Sequence, residues 1–122
     1  MNDGLAPMRS DDHSIPRFTW WDHKGSREWA SLTFKKPQRV SSVEVYWFDD
    51  TGRGGCRVPK SWEVQWLDGE TWRSVTGASR YGTERNTFNS VSFDPVSTKS
   101  IRVMVQLQEG MSGGILEWRL PK

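Results

Sequence analysis

The residues best suited to chemistry in this chain are aromatic and basic. Eight tryptophans stand among 122 residues: Trp20, Trp21, Trp29, Trp47, Trp62, Trp66, Trp72 and Trp118. An exposed indole is a flat apolar platform, the kind of surface on which the C–H face of a sugar ring stacks. Reading the ring hydroxyls beside it takes donors and acceptors. The loop Asp49–Pro59, DDTGRGGCRVP, carries Asp49 and Asp50 as acceptors and Arg53 and Arg57 as donors. Its three glycines permit tight turning, and a guanidinium fork suits vicinal hydroxyls. His23, in the loop Trp21–Gly25, can donate or accept at a hydroxyl. Tyr81 and Ser112 occupy two further loops able to converge on one rim. Each has a plainer reading: a solvated histidine, a tyrosine packed under its loop, a mobile charged connection.

Other chemistries find little support. Asp49 and Asp50 are adjacent, so they point apart and cannot form the opposed carboxylate pair of a glycosidase. No serine sits in a nucleophile-elbow context. One cysteine and two histidines, at positions 13, 23 and 56, make no zinc-ligand cluster. The chain is therefore expected not to be an enzyme. A net charge of +2, without basic runs longer than Lys35-Lys36, argues against nucleic acid and anionic membranes as partners. A lone Cys56 excludes an internal disulfide, and no apolar stretch is long enough to span a bilayer. The start, Met1-Asn2-Asp3-Gly4, is polar and lacks a signal-peptide core. Its abruptness fits a module of a longer protein.

These candidates need a scaffold, and the scaffold reads as strands. At 14.1 kDa the chain makes one domain over residues 1–122, with 1–19 an irregular approach segment. Period-two alternation follows in short runs. Ala30, Leu32 and Phe34 share a face, as do Val43, Val45 and Trp47, with Tyr46 and Phe48 opposite. Trp62, Val64 and Trp66 form a third set; Ile101, Val103, Val105 and Leu107 a fourth; Leu116, Trp118 and Leu120 a fifth. Asp68-Gly69 before Trp72 is a hairpin signal; Lys36-Pro37 and Asp94-Pro95 are expected to close strands. The pattern predicts an all-β antiparallel sandwich. Trp29, Trp62, Trp66, Trp72 and Trp118 are expected to pack inside it. Trp20 and Trp21 cannot both point inward, because successive side chains of an extended segment face opposite ways.

The order of these elements resembles the discoidin-like, or F5/8 type C, module, a galactose-binding-like jelly roll. The residues that carry the resemblance are Asn2-Asp3-Gly4, Phe18-Thr19-Trp20-Trp21, Glu28-Trp29, the run from Val40 to Trp47, the run from Arg57 to Val64, Asp68-Gly69 with Trp72, and Gly114-Ile115-Leu116-Glu117-Trp118. FTWWDHKG, VEVYWFDDTGRGGCRVP and GILEW also look like accessory modules of bacterial glycoside hydrolases, such as β-L-arabinofuranosidases. The family has a strand ahead of the Asp-Gly, which here must be absent or supplied by other residues.

The resemblance implies a monomeric, non-catalytic carbohydrate-binding module that tethers a parent catalytic domain in cis to a glycan. That parent would be secreted, periplasmic or at the cell surface. The implied sugar contacts are Trp21, His23, Asp49, Arg53, Arg57, Tyr81 and Ser112, with Trp20 structural and Trp21 the stacking candidate or a loop packer. It also implies a structural calcium held by Asp3, Thr19 and Glu117; the alternative for Glu117 is pairing with a neighbouring arginine. The competing reading of the whole chain is a structural or protein-interaction sandwich packed against a catalytic domain. Phospholipid binding, a third reading, would want apolar loop tips where this chain has Gly, Asp and Arg.

Overall fold

The computed structural model describes residues 18–20, 23–52 and 54–120. They form six strands: β1 (Phe18–Thr19), β2 (Arg27–Phe48), β3 (Ser61–Asp68), β4 (Thr71–Ser74), β5 (Phe88–Gln106) and β6 (Gly114–Arg119). Hydrogen bonding orders them β1-β6-β2-β5-β3-β4, with every ladder antiparallel. The folding of this ribbon is decided by its two long strands. The first half of β2 pairs with the second half of β5, which also carries β3 and then β4. The second half of β2 pairs with the first half of β5 and with β6. Side chains from both groups meet in one cluster, so the two halves are the layers of an antiparallel β-sandwich.

The prolines mark where the long strands change layer. The β2–β5 register slips between Thr33 and Gln38 and again between Val40 and Ser42. Pro37 lies in the first gap, and Pro95 lies opposite the second. A proline has no N–H for a ladder and is confined to edges and irregularities. The sequence expectation that Lys36-Pro37 and Asp94-Pro95 end strands is thus corrected: each marks a bend within one strand. The hairpin at Asp68-Gly69 does form, with Asp68 paired to Thr71 and Gly69 at a positive φ of 64°.

Between the layers lie Ala30, Trp62, Val64, Ile101, Val103 and Val105 from one side, and Val43, Val45, Trp47, Val91, Ile115 and Trp118 from the other. Trp47 and Trp62 meet edge to face across the core, ring centroids 5.2 Å apart. A smaller cluster, Tyr46, Phe48, Cys56 and Leu116, covers the other face of the second layer. Tyr46 and Phe48 reach it by alternation, and Leu116 joins them because β6 carries an extra residue: Tyr46 pairs with Glu117 but Trp47 with Ile115, leaving Leu116 as a bulge. The bulge resets the alternation. Ile115 and Trp118 both reach the main core, whereas Leu116, expected beside Trp118, faces away.

Trp29 departs from expectation most clearly. It is 54% exposed, the one large exposed hydrophobic among the described residues. The cause is parity: its neighbour Ala30 points into the core, so Trp29 must point out. Its truncation removes no core contact. Trp29→Ala should leave unfolding free energy within about 0.5 kcal/mol of the parent, while Trp62→Ala should lower it by about 3–5 kcal/mol. Urea unfolding followed by far-UV circular dichroism compares them; equal losses would contradict this placement of the two indoles.

Candidate functional site

Three connections meet at one end of the sandwich, and backbone hydrogen bonds sew them together. They are the segments 20–26, 49–60 and 107–113, of which residues 21, 22 and 53 are not described. Gly25 N–H donates to the Met111 carbonyl and Trp20 N–H to that of Gly113. Ser112 N–H donates to Gly55 O at 2.9 Å, and Arg57 N–H to Ser112 O at 3.1 Å. An isolated parallel bridge between Cys56 and Ser112 records the same join, and Gln108 Nε2 adds a bond to Val58 O. Long connections are ordinarily the mobile parts of a domain. This rim is held by its own main chain.

The aspartates hold the middle loop from within. Asp49 is 2% exposed. Its Oδ1 accepts from Thr51 N–H and from the Thr51 hydroxyl, and its Oδ2 from Val58 N–H at 3.0 Å. Arg85 Nε lies 3.5 Å from Oδ1. Asp50 Oδ1 accepts from Cys56 N–H at 2.8 Å, and a β-carbon added at Gly54 would collide with the same carboxylate. Neither aspartate stands open at the rim, and both act inside the loop. Ser112 is fully buried and works through its main chain; its Oγ has no hydrogen-bond partner among the described residues. The expected roles of Asp49 and Ser112 as sugar contacts therefore find no exposed atom here.

Two expected residues do reach the surface of the rim. Arg57, half-buried, uses Nη1 to hold the carbonyls of Gly54 and Cys56, each at 2.8 Å, with Asp50 3.8 Å away. Among the described residues no bond is made by its Nε or Nη2. His23 is exposed, and its Nδ1 lies 3.2 Å from Glu28 Oε1, which the sequence did not single out. Glu28 is itself fixed by the Ser26 hydroxyl at 2.8 Å. Arg85 also went unseen, because its partner Asp49 lies 36 positions earlier and no local pattern links them. Trp21 and Arg53 lie outside the described residues.

Tyr81 is not part of the rim surface. Its ring packs edge-on against Trp62 at 4.9 Å, and its hydroxyl accepts the Val64 N–H at 3.2 Å. Burial first, then the charge of Glu63, push the phenol pKa up against the Val64 bond, so it stays neutral.

The model of the F5/8 type C domain matches residues 8–118. The chain belongs to the F5/8 type C family. Solved structures agree on the F5/8 type C fold. One from the Streptococcus pneumoniae β-galactosidase BgaA superposes with a TM-score of 0.85 at 20% identity, over 100% of this chain and 83% of that one. Chitosan-binding module 1 of a chitosanase/glucanase from Paenibacillus sp. IK-5 gives 0.64 at 17% identity, over 92% and 80%. The family 32 carbohydrate-binding module of NanJ from C. perfringens, solved with galactose, gives 0.62 at 18%, over 83% and 71%.

The calcium set implied for F5/8 type C members is not assembled by the described residues. Calcium takes six to eight oxygens. Here Thr19 is half-buried on β1 and Glu117 is buried on β6, while Asp3 lies outside the described residues. No group of three or more His, Cys, Asp or Glu side chains among the described residues could hold a metal ion.

The electrostatics of the rim give a pH test. Burial raises the Asp49 pKa, but the Thr51 hydroxyl, the Val58 and Thr51 N–H groups and Arg85 outweigh it and hold the value below the ordinary 3.8. A carboxyl lowered on folding stabilises the fold above its unfolded pKa, and that contribution is lost as pH falls through the folded value. Asp49→Asn should therefore cost roughly 1–3 kcal/mol at neutral pH and flatten the loss of stability below pH 3.8. Urea unfolding from neutral to acid pH measures both; an unchanged acid limb would show that Asp49 does not brace the loop.

Proposed function

We propose that this chain is a non-catalytic carbohydrate-binding module that holds a parent glycoside hydrolase at its glycan through the loop rim. The observation that carries the reading is the rim itself. Three loops are locked backbone to backbone, and Arg57 and His23 are oriented on them by Gly54, Cys56 and Glu28. Groups held in place before the ligand arrives lose little freedom on binding. Arg57 offers its free donors to vicinal hydroxyls, His23 reads a further hydroxyl, Trp21 supplies the stacking face, and Arg53 is a further donor. Arg85 lies close enough to Asp49 to border the same end.

Family membership and the galactose held by the NanJ module support the ligand class. The absence of chemistry is supported by Asp49 and Asp50, whose carboxylates are spent inside the loop. An open rim of this kind binds one sugar weakly, at about millimolar to tens of micromolar. Its value lies in tethering, which raises the local concentration of an attached enzyme at the glycan.

A glycan array probed with the wild type, Trp21→Ala, Arg57→Lys and Asp50→Asn tests this. Arg57→Lys keeps the charge and removes the fork, so the best glycan should be held about tenfold more weakly. Retention of every glycan unchanged in Trp21→Ala and Arg57→Lys, or binding of none by the wild type, would sink the proposal. A structural calcium on Asp3, Thr19 and Glu117 is a separate proposal that depends on Asp3. Calcium added after chelation should raise the melting temperature, and an unchanged temperature removes it.

A further inference from the structure

Trp29 stands far from any need of the core, on the outer face of the layer formed by β2, β5 and β3. Antiparallel register sets it directly opposite Met104, which in turn lies opposite Glu63. The next row is Arg27, Gln106 and Ser61. Over the Arg27, Gln106 and Ser61 row opens a cleft of about 320 Å³, lined by Arg27, Ser61, Trp62, Glu63, Met104 and Gln106; Trp29 does not line it and adjoins it through Met104, its cross-strand partner. That volume falls at the small end of ligand sites, roughly 300–1,000 Å³.

The polar groups of this face are positioned. Glu63 accepts from Gln65 Nε2 at 2.8 Å and from the Ser74 hydroxyl at 3.1 Å, with Arg27 Nη2 at 3.4 Å. Gln65 is held in turn by Arg102 Nε at 2.8 Å. Gln106 spends its amide N–H groups on the carbonyls of Gly25, Ser26 and Leu107, and so presents an oxygen. Farther along the face Arg102 covers the ring of Trp72 at 4.3 Å, which closes that indole as a platform. Trp29 has no such cover among the described residues.

We infer that this face is a second sugar-binding site, taking a neutral pyranose against Trp29 and Met104, with Glu63 and Arg27 reading its hydroxyls. The choice of occupant follows from the surface. A stable protein interface buries about 800 Å² on each partner around an apolar centre, whereas the apolar part here is a single indole and a half-buried thioether. One carboxylate and one guanidinium side by side leave little net charge to attract an ionic ligand. A narrow apolar strip beside a paired acceptor and donor matches a ring with one C–H face and an equatorial belt of hydroxyls. The inference concerns a surface other than the loop rim and does not depend on the rim binding anything.

Nuclear magnetic resonance of protein labelled at methionine methyls and indole N–H groups tests it, with galactose, lactose and chitotriose as probes. At least one sugar should shift the Met104 methyl and the Trp29 indole saturably. Trp29→Ala should weaken that site about tenfold or more, and Glu63→Gln should weaken it in a protein of unchanged melting temperature. Arg57→Ala, at the rim, should leave it unchanged. Sheet-face shifts with a silent rim would support this site and remove the other. The inference is overturned if none of the three sugars moves Met104, or if the shifts vanish in Arg57→Ala. Shifts that track protein concentration instead of sugar would also overturn it, making the face a contact between copies of the chain.

Discussion

The Gly82 carbonyl is the point on which the sandwich and its loops both depend. It accepts the indole N–H of Trp62 at 2.8 Å and lies 3.4 Å from that of Trp47. Those two tryptophans belong to opposite layers and touch edge to face in the core. An indole N–H buried without an acceptor would forfeit a hydrogen bond in a region water does not reach. The connection after β4 must therefore return to the core edge at Gly82. Asn89 fixes it there: its Oδ1 accepts from Glu84 N–H, its amide donates to carbonyls of Glu84 and Thr87, and a β-carbon at Gly82 would meet that same oxygen. Tyr81 follows from this placement, pressed on Trp62 because its neighbour is pinned.

The same economy governs the rim. Asp49 and Asp50 turn inward and satisfy main-chain N–H groups of the loop they start. Arg57 then stands half in the scaffold and half out of it. Its inward nitrogen donates to the Gly54 carbonyl and to that of Cys56, which also accepts the Asp50 N–H, and its outward nitrogens make no bond among the described residues. Gly54 is needed because the Asp50 carboxylate occupies the space its side chain would fill.

Much of this fold was legible because alternation is a geometric rule that packing rarely breaks. Val43, Val45 and Trp47 face inward as the two-residue period requires, and so do Ile101, Val103 and Val105. Where the reading departed from the structure, a local device intervened or hydrophobicity was trusted over parity. The Leu116 bulge inserts one residue, and no composition signal announces a bulge. The prolines were read as ends because they break ladders, yet a strand crossing between layers needs such a break. Trp29 was expected inside because it is a tryptophan, although Ala30, Leu32 and Phe34 had already claimed the inner face. For the rim, the sequence placed Arg57 and His23 in loops, and both reach its surface. It could not show that Asp49 and Ser112 turn inward, because their partners come from the backbone of sequence-distant or tightly turned segments.

The rim and the outer sheet face reach order by different routes. On the rim, donors sit on loops kept in register by hydrogen bonds between connections and anchored by Trp20, Cys56 and Leu107 in the core clusters. On the sheet face, Trp29, Met104 and Glu63 are spaced by the ladder itself, with neighbouring strands about 4.8 Å apart. That spacing is a property of the backbone and cannot drift. A binding surface built there gains rigidity and loses adjustability, because every alternate residue is committed to the core beneath it. Only side-chain identity remains free to vary, and an indole beside a thioether, a carboxylate and a guanidinium is an assortment that packing alone does not require.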